Sequence, residues 1–273
     1  MLPMLPMPEP QAPAPAVVIT RPAAQAGALA QQVAALGRTP VLLPLLDIHP
    51  LADLAPLKAA LAQLSAFALV AFVSPNAIDA AFAHLPDGWP AGVTLAVLGE
   101  GSRAALARHG ITQANANIVS PADPARSDSE NLLQTLDLAA LAGRRVLIVR
   151  GESGRELMAD GFRAAGAQVS VVAAYRRSVP VLTPGLAQRL RSLLAAENDW
   201  IITSSEALRG LLALLEQLDS QATGQLLVAK MQHQHVIVPH ARIAETARAL
   251  GFTRLTLCGS GDERLLAALQ SRA

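Results

Sequence analysis

The chain has few of the residues that mark several common classes of protein. One of its 273 residues is a cysteine, so no internal disulfide can form. Aromatic residues make up 3%, too few to suggest a stacking platform for nucleic-acid bases. The formal net charge is +1 and there is no basic run, whereas proteins that bind a phosphate backbone usually carry a clustered basic face. We therefore expect no nucleic-acid partner and a reducing compartment, which we take to be the cytoplasm.

Long apolar segments and metal-ligand clusters are scarce as well. The longest apolar stretch, 64–73, is too short to span a bilayer, so we predict no membrane attachment. The first 16 residues contain no lysine or arginine and are interrupted by proline, unlike a signal peptide. We interpret 1–16 as a disordered, extended leader. His233 and His235 are the only close histidine pair, and no carboxylate or cysteine beside them completes a metal set, so no metal is expected.

Motifs for nucleotide cofactors and serine hydrolases are also missing. The sequence has no GxxxxGK[ST] loop and no GxGxxG after a strand, so a nucleotide cofactor is not expected. There is no GxSxG elbow, and neither Ser74 nor Ser204 has a histidine at an evident spacing, which weakens a Ser/Tyr hydrolase hypothesis. The only tyrosine, Tyr175, precedes two arginines. It is either a packing residue with a satisfied hydroxyl or a proton donor that faces a cleft.

The chain does contain an internal repeat. Residues 17–46 and 146–175 both read as an apolar strand, an arginine, a short turn, an amphipathic helix, a glycine and a second strand. Arg21 and Arg150 occupy the same place in the two copies. Weaker echoes join 71–82 with 201–212 and 95–111 with 236–252. A repeat of this length indicates a duplicated α/β unit, and a cleft between two such units is a usual place for a ligand.

Apolar β-rich runs alternate with helical Ala/Leu-rich segments. This alternation predicts parallel sheets covered on both faces, with Gly37 and Gly166 ending helices in a left-handed conformation. The predicted strands are 17–20, 41–43, 68–73, 94–98, 146–149, 169–173, 200–203, 235–238 and 255–258. Two extended, proline-bounded stretches, 43–50 and 172–180, break the alternation. If the two stretches pair with each other, the first repeated unit packs with the C-terminal third of the chain. If they do not, each half of the chain forms its own domain. The spacing along the sequence does not decide between these two arrangements.

Several of the predicted strands end in small, polar or glycine-containing turns. In an open parallel sheet, ligands meet the carboxyl ends of the strands, where helix N-termini attract anions. The turns are 20–22, 74–76, 99–102, 150–153, 204–205 and 259–261. Each one separately is also explained as a helix N-cap. As a set they suit a ligand with many carboxylates or phosphates.

These motifs, in this order, resemble the uroporphyrinogen-III synthase family. The resemblance runs from about Val17 to the C-terminus. It is carried by TRP (20–22), PLLDIHP (44–50), VSPNAIDAAF (73–82), LGEGSRAAL (98–106), VLIVRGESGRELMADGFRAAGAQVSVVAAYRR (146–177) and ITSSEALRGLL (202–212). The resemblance implies two flavodoxin-like parallel-sheet domains joined by a two-stranded β connector. The implied divisions are a discontinuous domain 1 of 17–46 plus 178–273, a domain 2 of 51–173, and connectors 43–50 and 172–180.

The resemblance also implies a reaction. Family members are cofactor-independent lyases that cyclise hydroxymethylbilane, with loss of water and inversion of ring D, to uroporphyrinogen III in heme and siroheme biosynthesis. The substrate carries eight carboxylates and reacts through a cationic azafulvene and a spiro intermediate. We expect helix N-termini to bind those carboxylates without a dense arginine cluster, because such a cluster would oppose the developing cation. We also expect a monomer.

Matched by motif, Tyr175 is the candidate donor of a proton to the leaving hydroxyl. The expected substrate-binding residues are Thr20, Arg21, Ser74, Pro75, Asn76, Gly99, Gly101, Ser102, Arg150, Gly151, Ser204 and Ser205. Ser102 stands where the family usually has threonine, and Glu100 replaces the usual proline, so we expect Glu100 to point away from the cleft. Arg21 and Arg150 either bind carboxylates or anchor strand ends. The competing hypothesis is a two-domain binding protein or sensor for a polyanionic small molecule.

Overall fold

The computed structural model describes residues 15–85, 88–123, 127–221, 224 and 226–271. Most of the predicted leader therefore lies outside the described residues. Within them the chain forms eleven strands and eleven α-helices. The strands β1–β11 are Val17–Ile19, Pro40–Leu42, Asp47–His49, Leu69–Phe72, Thr94–Val97, Ile118–Val119, Arg145–Gly151, Gln168–Ser178, Asp199–Ile201, His235–Val238 and Arg254–Leu257. The helices α1–α11 are Ala23–Ala35, Ala55–Leu61, Pro75–Phe82, Glu100–Arg108, Ser129–Thr135, Leu157–Ala164, Pro184–Leu193, Ser205–Gln221, Leu227–Gln232, Ala241–Ala249 and Asp262–Gln270.

The strands form two sheets that are mostly parallel. The first sheet has the order β11-β10-β9-β1-β2 and is parallel throughout. The second has the order β3-β8-β7-β4-β5-β6 and is parallel except where β3 runs antiparallel to β8. The predicted mixed α/β class is confirmed, and each predicted strand overlaps an observed one. Strands from the two ends of the described chain thus share the first sheet.

Both sheets bury a hydrophobic core on each face, because successive side chains of a strand point to opposite sides. In the first sheet, Val18 and Trp200 pack on one face while Val17, Ile19 and Ile201 pack on the other. The two cores of the first sheet draw on residues 17–46 and 179–269, and the two cores of the second sheet draw on 48–175. No residue of one set is a member of the other.

The two copies of the sequence repeat end their first helices alike. Gly37 follows α1 with φ +74° and Gly166 follows α6 with φ +83°, a left-handed conformation that costs glycine little. The copies differ in the strand that comes next. β2 has 3 residues, whereas β8 has 11 and continues past the end of β7 to pair with β3. The pairing of β7 with β8 slips at Arg150/Gly151, where Gly151 lies opposite Tyr175.

Candidate active site

Ser74, which follows β4, and Tyr175 of β8 form a hydrogen-bonded pair past the end of β7, the strand that lies between β4 and β8 in the second sheet. Ser74 is the N-cap of α3, and its Oγ accepts a hydrogen bond from the Ala77 backbone N–H at 3.2 Å. The Tyr175 Oη lies 3.1 Å from the same Oγ. Tyr175 is only 3% exposed. A buried phenol is therefore held next to a helix N-terminus, where partial positive charge accumulates.

Gly151 makes room for the Tyr175 ring. A Cβ at position 151 would lie 3.1 Å from the tyrosine Cζ and 3.3 Å from its Oη. The Glu152 backbone N–H donates to the Tyr175 carbonyl oxygen at 2.8 Å, so the tyrosine is fixed through its backbone as well. The glycine, the slipped strand pairing and the serine cap together define where the phenol lies.

A cavity of about 690 Å³ adjoins the tyrosine. It is lined by the start of α1, by β3 and its flanking residues, by α3, and by Ala174 and Tyr175 of β8. Elements of both sheets thus contribute to its walls. The volume is typical of small-molecule sites.

The turn after β1 faces the turn after β4. On α1, the Gln25 Nε2 donates to the Asn76 Oδ1 at 2.8 Å, which joins elements of the two sheets. Thr20 is buried and its hydroxyl donates to the Ile201 carbonyl at 2.9 Å. The Arg21 guanidinium lies 2.7 Å from the Asp262 carboxylate at the start of α11. Both Thr20 and Arg21 therefore have partners within the first sheet and its helices.

The other turns show similar local bonding. Arg150 pairs with Glu156 at 2.5 Å and donates to the Arg155 carbonyl at 2.9 Å. The Ser204 Oγ accepts from the Glu206 backbone N–H at 3.2 Å and so caps α8. Ser205 is buried and accepts from the Thr246 hydroxyl at 3.1 Å.

The turn after β5 is tightly packed at its start. A Cβ at Gly99 would lie 2.5 Å from the Ser127 Oγ, so only glycine fits without a shift. Ser102 is buried, whereas Glu100 is exposed.

Among the residues singled out from the sequence, Tyr175 and Asn76 line the cavity. Ser74 contacts Tyr175, and Gly151 lies against its ring. Most of the remaining candidates lie in the other strand-end turns. Thr20, Arg21, Arg150 and Ser205 form hydrogen bonds or ion pairs with residues of their own sheet and its helices.

The sequence did not reveal a group of arginines where the helices of the two sheets approach each other. Arg177 of β8 lies 2.9 Å from Glu206 of α8, and Arg155 lies 2.7 Å from Glu130 of α5. Partial burial lowers the pKa of Arg242, and the positive charges of Arg155, Arg209 and Arg177 lower it further, against the raising effect of Glu130. The expectation that the carboxylates are bound without a dense arginine cluster stays a prediction, because the described residues that line the cavity beside Tyr175 include no arginine and this group lies outside that lining. Of these arginines, the sequence analysis singled out only Arg177, as one of the two arginines that follow Tyr175.

His240, at the start of α10, belongs to the same region. Burial lowers the pKa of His240, and the positive charge of Arg242 lowers it further. The negative charge of Asp128, the N-cap residue of α5, acts in the opposite direction and raises this pKa. A histidine whose pKa lies below the ordinary value is neutral at pH 7.

The described part of the chain holds no cluster of three or more His, Cys, Asp and Glu side chains suited to a metal ion. In the same residues, no helix combines the length and apolar character needed to cross a membrane.

Comparison with known proteins gives one consistent family. A family model described as "Uroporphyrinogen-III synthase HemD" matches residues 27–258. The uroporphyrinogen-III synthase of Salmonella typhimurium (strain LT2) is 33% identical over 258 residues, which cover 93% of this chain and 99% of the relative. The Escherichia coli K12 uroporphyrinogen-III synthase is 30% identical over 265 residues, with the same coverage.

Solved structures agree in fold. The uroporphyrinogen-III synthetase of Helicobacter pylori 26695 superposes with a TM-score of 0.58 at 14% identity and covers 95% of this chain and 100% of its own. A mutant uroporphyrinogen III synthase of Thermus thermophilus gives a TM-score of 0.54 at 16% identity, covering 95% and 99%. At these identities the likeness is one of fold.

Proposed function

The chain belongs to the uroporphyrinogen-III synthase family of cyclising lyases in tetrapyrrole synthesis, and from this we propose that it acts on hydroxymethylbilane with inversion of ring D. The observation that supports this proposal best is the hydrogen-bonded pair of the buried Tyr175 and the half-buried Ser74, beside a cavity to which elements of both sheets contribute. A flexible linear substrate must be held so that it closes at the substituted carbon of ring D. That is mainly a task of orientation.

In the proposed first step, Tyr175 supplies a proton to the substrate's terminal hydroxyl. The C–O bond breaks, water leaves, and a cationic azafulvene remains. The Ser74 Oγ accepts from the Ala77 N–H and lies 3.1 Å from the Tyr175 Oη, so in this step its hydroxyl hydrogen donates to the phenol oxygen and leaves the tyrosine proton for the substrate. After the spiro intermediate fragments and the ring closes, the proton released from the attacked pyrrole carbon returns to the phenolate. The net products are uroporphyrinogen III and one water.

We propose that the strand-end turns bind the acid arms of the substrate. Backbone N–H groups at the starts of α1, α3, α4, α6, α8 and α11 point toward the carboxyl edges of the strands and favour anions. The ion pairs of Arg21 with Asp262 and of Arg150 with Glu156 favour an anchoring role for these two arginines. Their bonds hold the strand ends that carry the turns.

The same reasoning supports the finer division of the fold. We propose two flavodoxin-like domains, one from 17–46 plus 178–273 and one from 51–173, joined by the paired β3 and β8. The separate membership of the hydrophobic cores supports this division. A monomer located in the cytoplasm stays a prediction.

The proposal is tested by the products. Purified protein is incubated with hydroxymethylbilane, the mixture is oxidised, and the uroporphyrin isomers are separated. We expect isomer III. Formation of isomer I alone, as without enzyme, contradicts the synthase proposal, and tight binding of the substrate without turnover would support the sensor hypothesis instead.

The role of the tyrosine is tested with Tyr175→Phe, which keeps the ring and removes the hydroxyl. We expect kcat to fall by about 10² to 10⁴, the usual contribution of a positioned proton donor, with little change in KM. Ser74→Ala should lower kcat less. Thr183→Ala is its matched control, because Thr183 also caps a helix, α7, where its Oγ1 accepts from the Leu186 backbone N–H. Unchanged turnover in Tyr175→Phe would remove the proposed role.

A further inference from the structure

Four arginines from different elements of the two sheets lie in one region. They are Arg155 before α6, Arg177 on β8, Arg209 in α8 and Arg242 in α10. Two glutamates share the region. The carboxylate of Glu130 accepts hydrogen bonds from both terminal nitrogens of Arg155, at 2.7 and 3.5 Å. Glu206 forms an ion pair with Arg177 at 2.9 Å.

The first turn of α8 is hydrogen-bonded to the second turn of α10. The Thr246 hydroxyl of α10 donates to the Ser205 Oγ of α8 at 3.1 Å. Arg209 lies one helical turn after Ser205, and Arg242 lies one turn before Thr246. The two arginines therefore project from neighbouring helices whose preceding strands, β9 and β10, are adjacent in the first sheet.

The positive charge in this region is not fully compensated. Within the described residues, the guanidinium groups of Arg209 and Arg242 make no ion pair and no hydrogen bond. With Asp128, whose charge acts on the neighbouring His240, four cations face three anions. Partial burial lowers the pKa of Arg242, and repulsion by the positive charges of the other three arginines lowers it further. In the same described part, the Nε of Arg177 is buried and has no hydrogen-bond partner.

The region continues the surface of the candidate active site. Arg177 follows Tyr175 by two residues on β8, so the two side chains share a face of the strand and lie about 7 Å apart along it. The cavity beside the tyrosine has no arginine or lysine among the described residues that line it, and its walls include Asp47 and Asp79. Acid arms of a substrate held at the tyrosine therefore meet no arginine or lysine in the described cavity wall, and Arg177 lies next along the same face of β8.

We propose that Arg209 and Arg242 form a carboxylate-binding subsite, with Arg177 at its inner edge, that takes acid arms of the substrate. This inference rests on the proposed function for the identity of that substrate. Guanidinium groups bind carboxylates through paired N–H donors. Because the subsite is displaced from Tyr175, its charge acts on the arms rather than on the carbon that becomes cationic.

The test compares Arg209→Gln, Arg242→Gln and the double variant with Arg248→Gln. Arg248 lies in the last turn of α10 and is exposed, so it controls for the loss of one charge from the same helix. We expect KM for hydroxymethylbilane to rise about tenfold for each subsite variant, in line with loss of a charged hydrogen bond, while kcat stays within twofold of the wild type. KM of the double variant should also depend less on salt than that of the wild type.

A second readout separates this inference from the proposed function. Uroporphyrin III, a fluorescent octacarboxylate, is titrated against each variant by fluorescence quenching, and urea unfolding confirms that the variants are folded. Weaker binding in the two subsite variants but not in Arg248→Gln supports the subsite even if the wild type makes no isomer III. Wild-type KM and wild-type uroporphyrin binding in the double variant would overturn it, as would an equal loss in Arg248→Gln or a fall in kcat at unchanged KM.

Discussion

At the scale of single residues, Gly151 determines where the Tyr175 hydroxyl lies. The ring packs closely on position 151 because glycine has no Cβ, and an added methyl carbon would stand 3.1 Å from Cζ. The ring would have to shift by a few tenths of an ångström, which would change the position of its hydroxyl relative to Ser74.

We therefore expect Gly151→Ala to lower kcat by less than about 100-fold, because the shift is a few tenths of an ångström and a displacement of about 1 Å in a catalytic group has an effect of about that size. The measurement is steady-state formation of isomer III. Gly154→Ala is the control, since its added carbon would meet Arg150 Cδ at an ordinary 3.5 Å. Equal kinetics in the two variants would show that the tyrosine's position tolerates the methyl group.

The sequence predicted part of this site. Tyr175 is conspicuous as the only tyrosine, in an extended stretch, and the serine turn at Ser74 follows from its pattern before a helix. The contact of Gly151 with Tyr175 depends on a slip in strand pairing, which local spacing does not encode. The meeting of Arg177, Arg209 and Arg242 likewise depends on how distant helices pack.

At the scale of elements, one carboxylate joins the amino-terminal ends of several strands. Asp199 opens β9, lies 2.7 Å from the Arg38 guanidinium next to β2, and lies 2.6 Å from the Nδ1 of His235 at the start of β10. The other imidazole nitrogen, Nε2, is 2.9 Å from the Thr256 Oγ1 of β11. Burial alone would raise the pKa of Asp199, but the hydrogen bonds and charges of His235 and Arg38 lower it below the ordinary value.

A lowered pKa in the folded state means that the carboxylate stabilises the fold above its unfolded pKa of about 4, and that this stabilisation is lost as the pH falls through the lower folded value. We expect Asp199→Asn to reduce the free energy of unfolding at pH 7 by about 3 to 5 kcal/mol, because it takes the carboxylate away from the largely buried Arg38 guanidinium. The difference from the wild type should shrink below about pH 4.

Urea unfolding of both proteins from pH 7 to pH 3 measures this difference. Glu197→Gln is the control, because Glu197 forms a nearby ion pair with Arg254 but is 71% exposed, and we expect at most about 1 kcal/mol there. A constant difference at all pH values would contradict the linkage.

The alternation of apolar runs predicted these strands, yet nothing in the local sequence marks Asp199, whose partners lie 161 and 36 positions away.

At the scale of the whole molecule, the two sheets have separate hydrophobic cores. A unit with its own core is expected to fold on its own. We predict that the fragment 51–175, which adds the buried Ala174 and Tyr175 to the proposed second domain, folds without the rest of the chain.

Far-UV circular dichroism and a single cooperative urea transition of the fragment test this prediction. A fragment without a cooperative transition would mean that the second sheet depends on contacts with the first. The internal repeat alone left open whether each half forms one domain, because the order of parallel strands is decided by packing between distant segments. Only the family resemblance favoured the arrangement in which both ends of the chain share a sheet.

Two contacts that cross between elements of the two sheets, Gln25 to Asn76 and Arg177 to Glu206, have a kinetic consequence. If a ligand enters only while these bonds are open, it competes with the closed form of the protein. If they favour the closed form by about 1.4 kcal/mol, the open form is about one-tenth of the population and the apparent affinity is about tenfold weaker than the intrinsic one. Weakening either contact would then speed both binding of the substrate and release of the product. The linear tetrapyrrole would also dissociate sooner, which leaves less time for ring inversion before release.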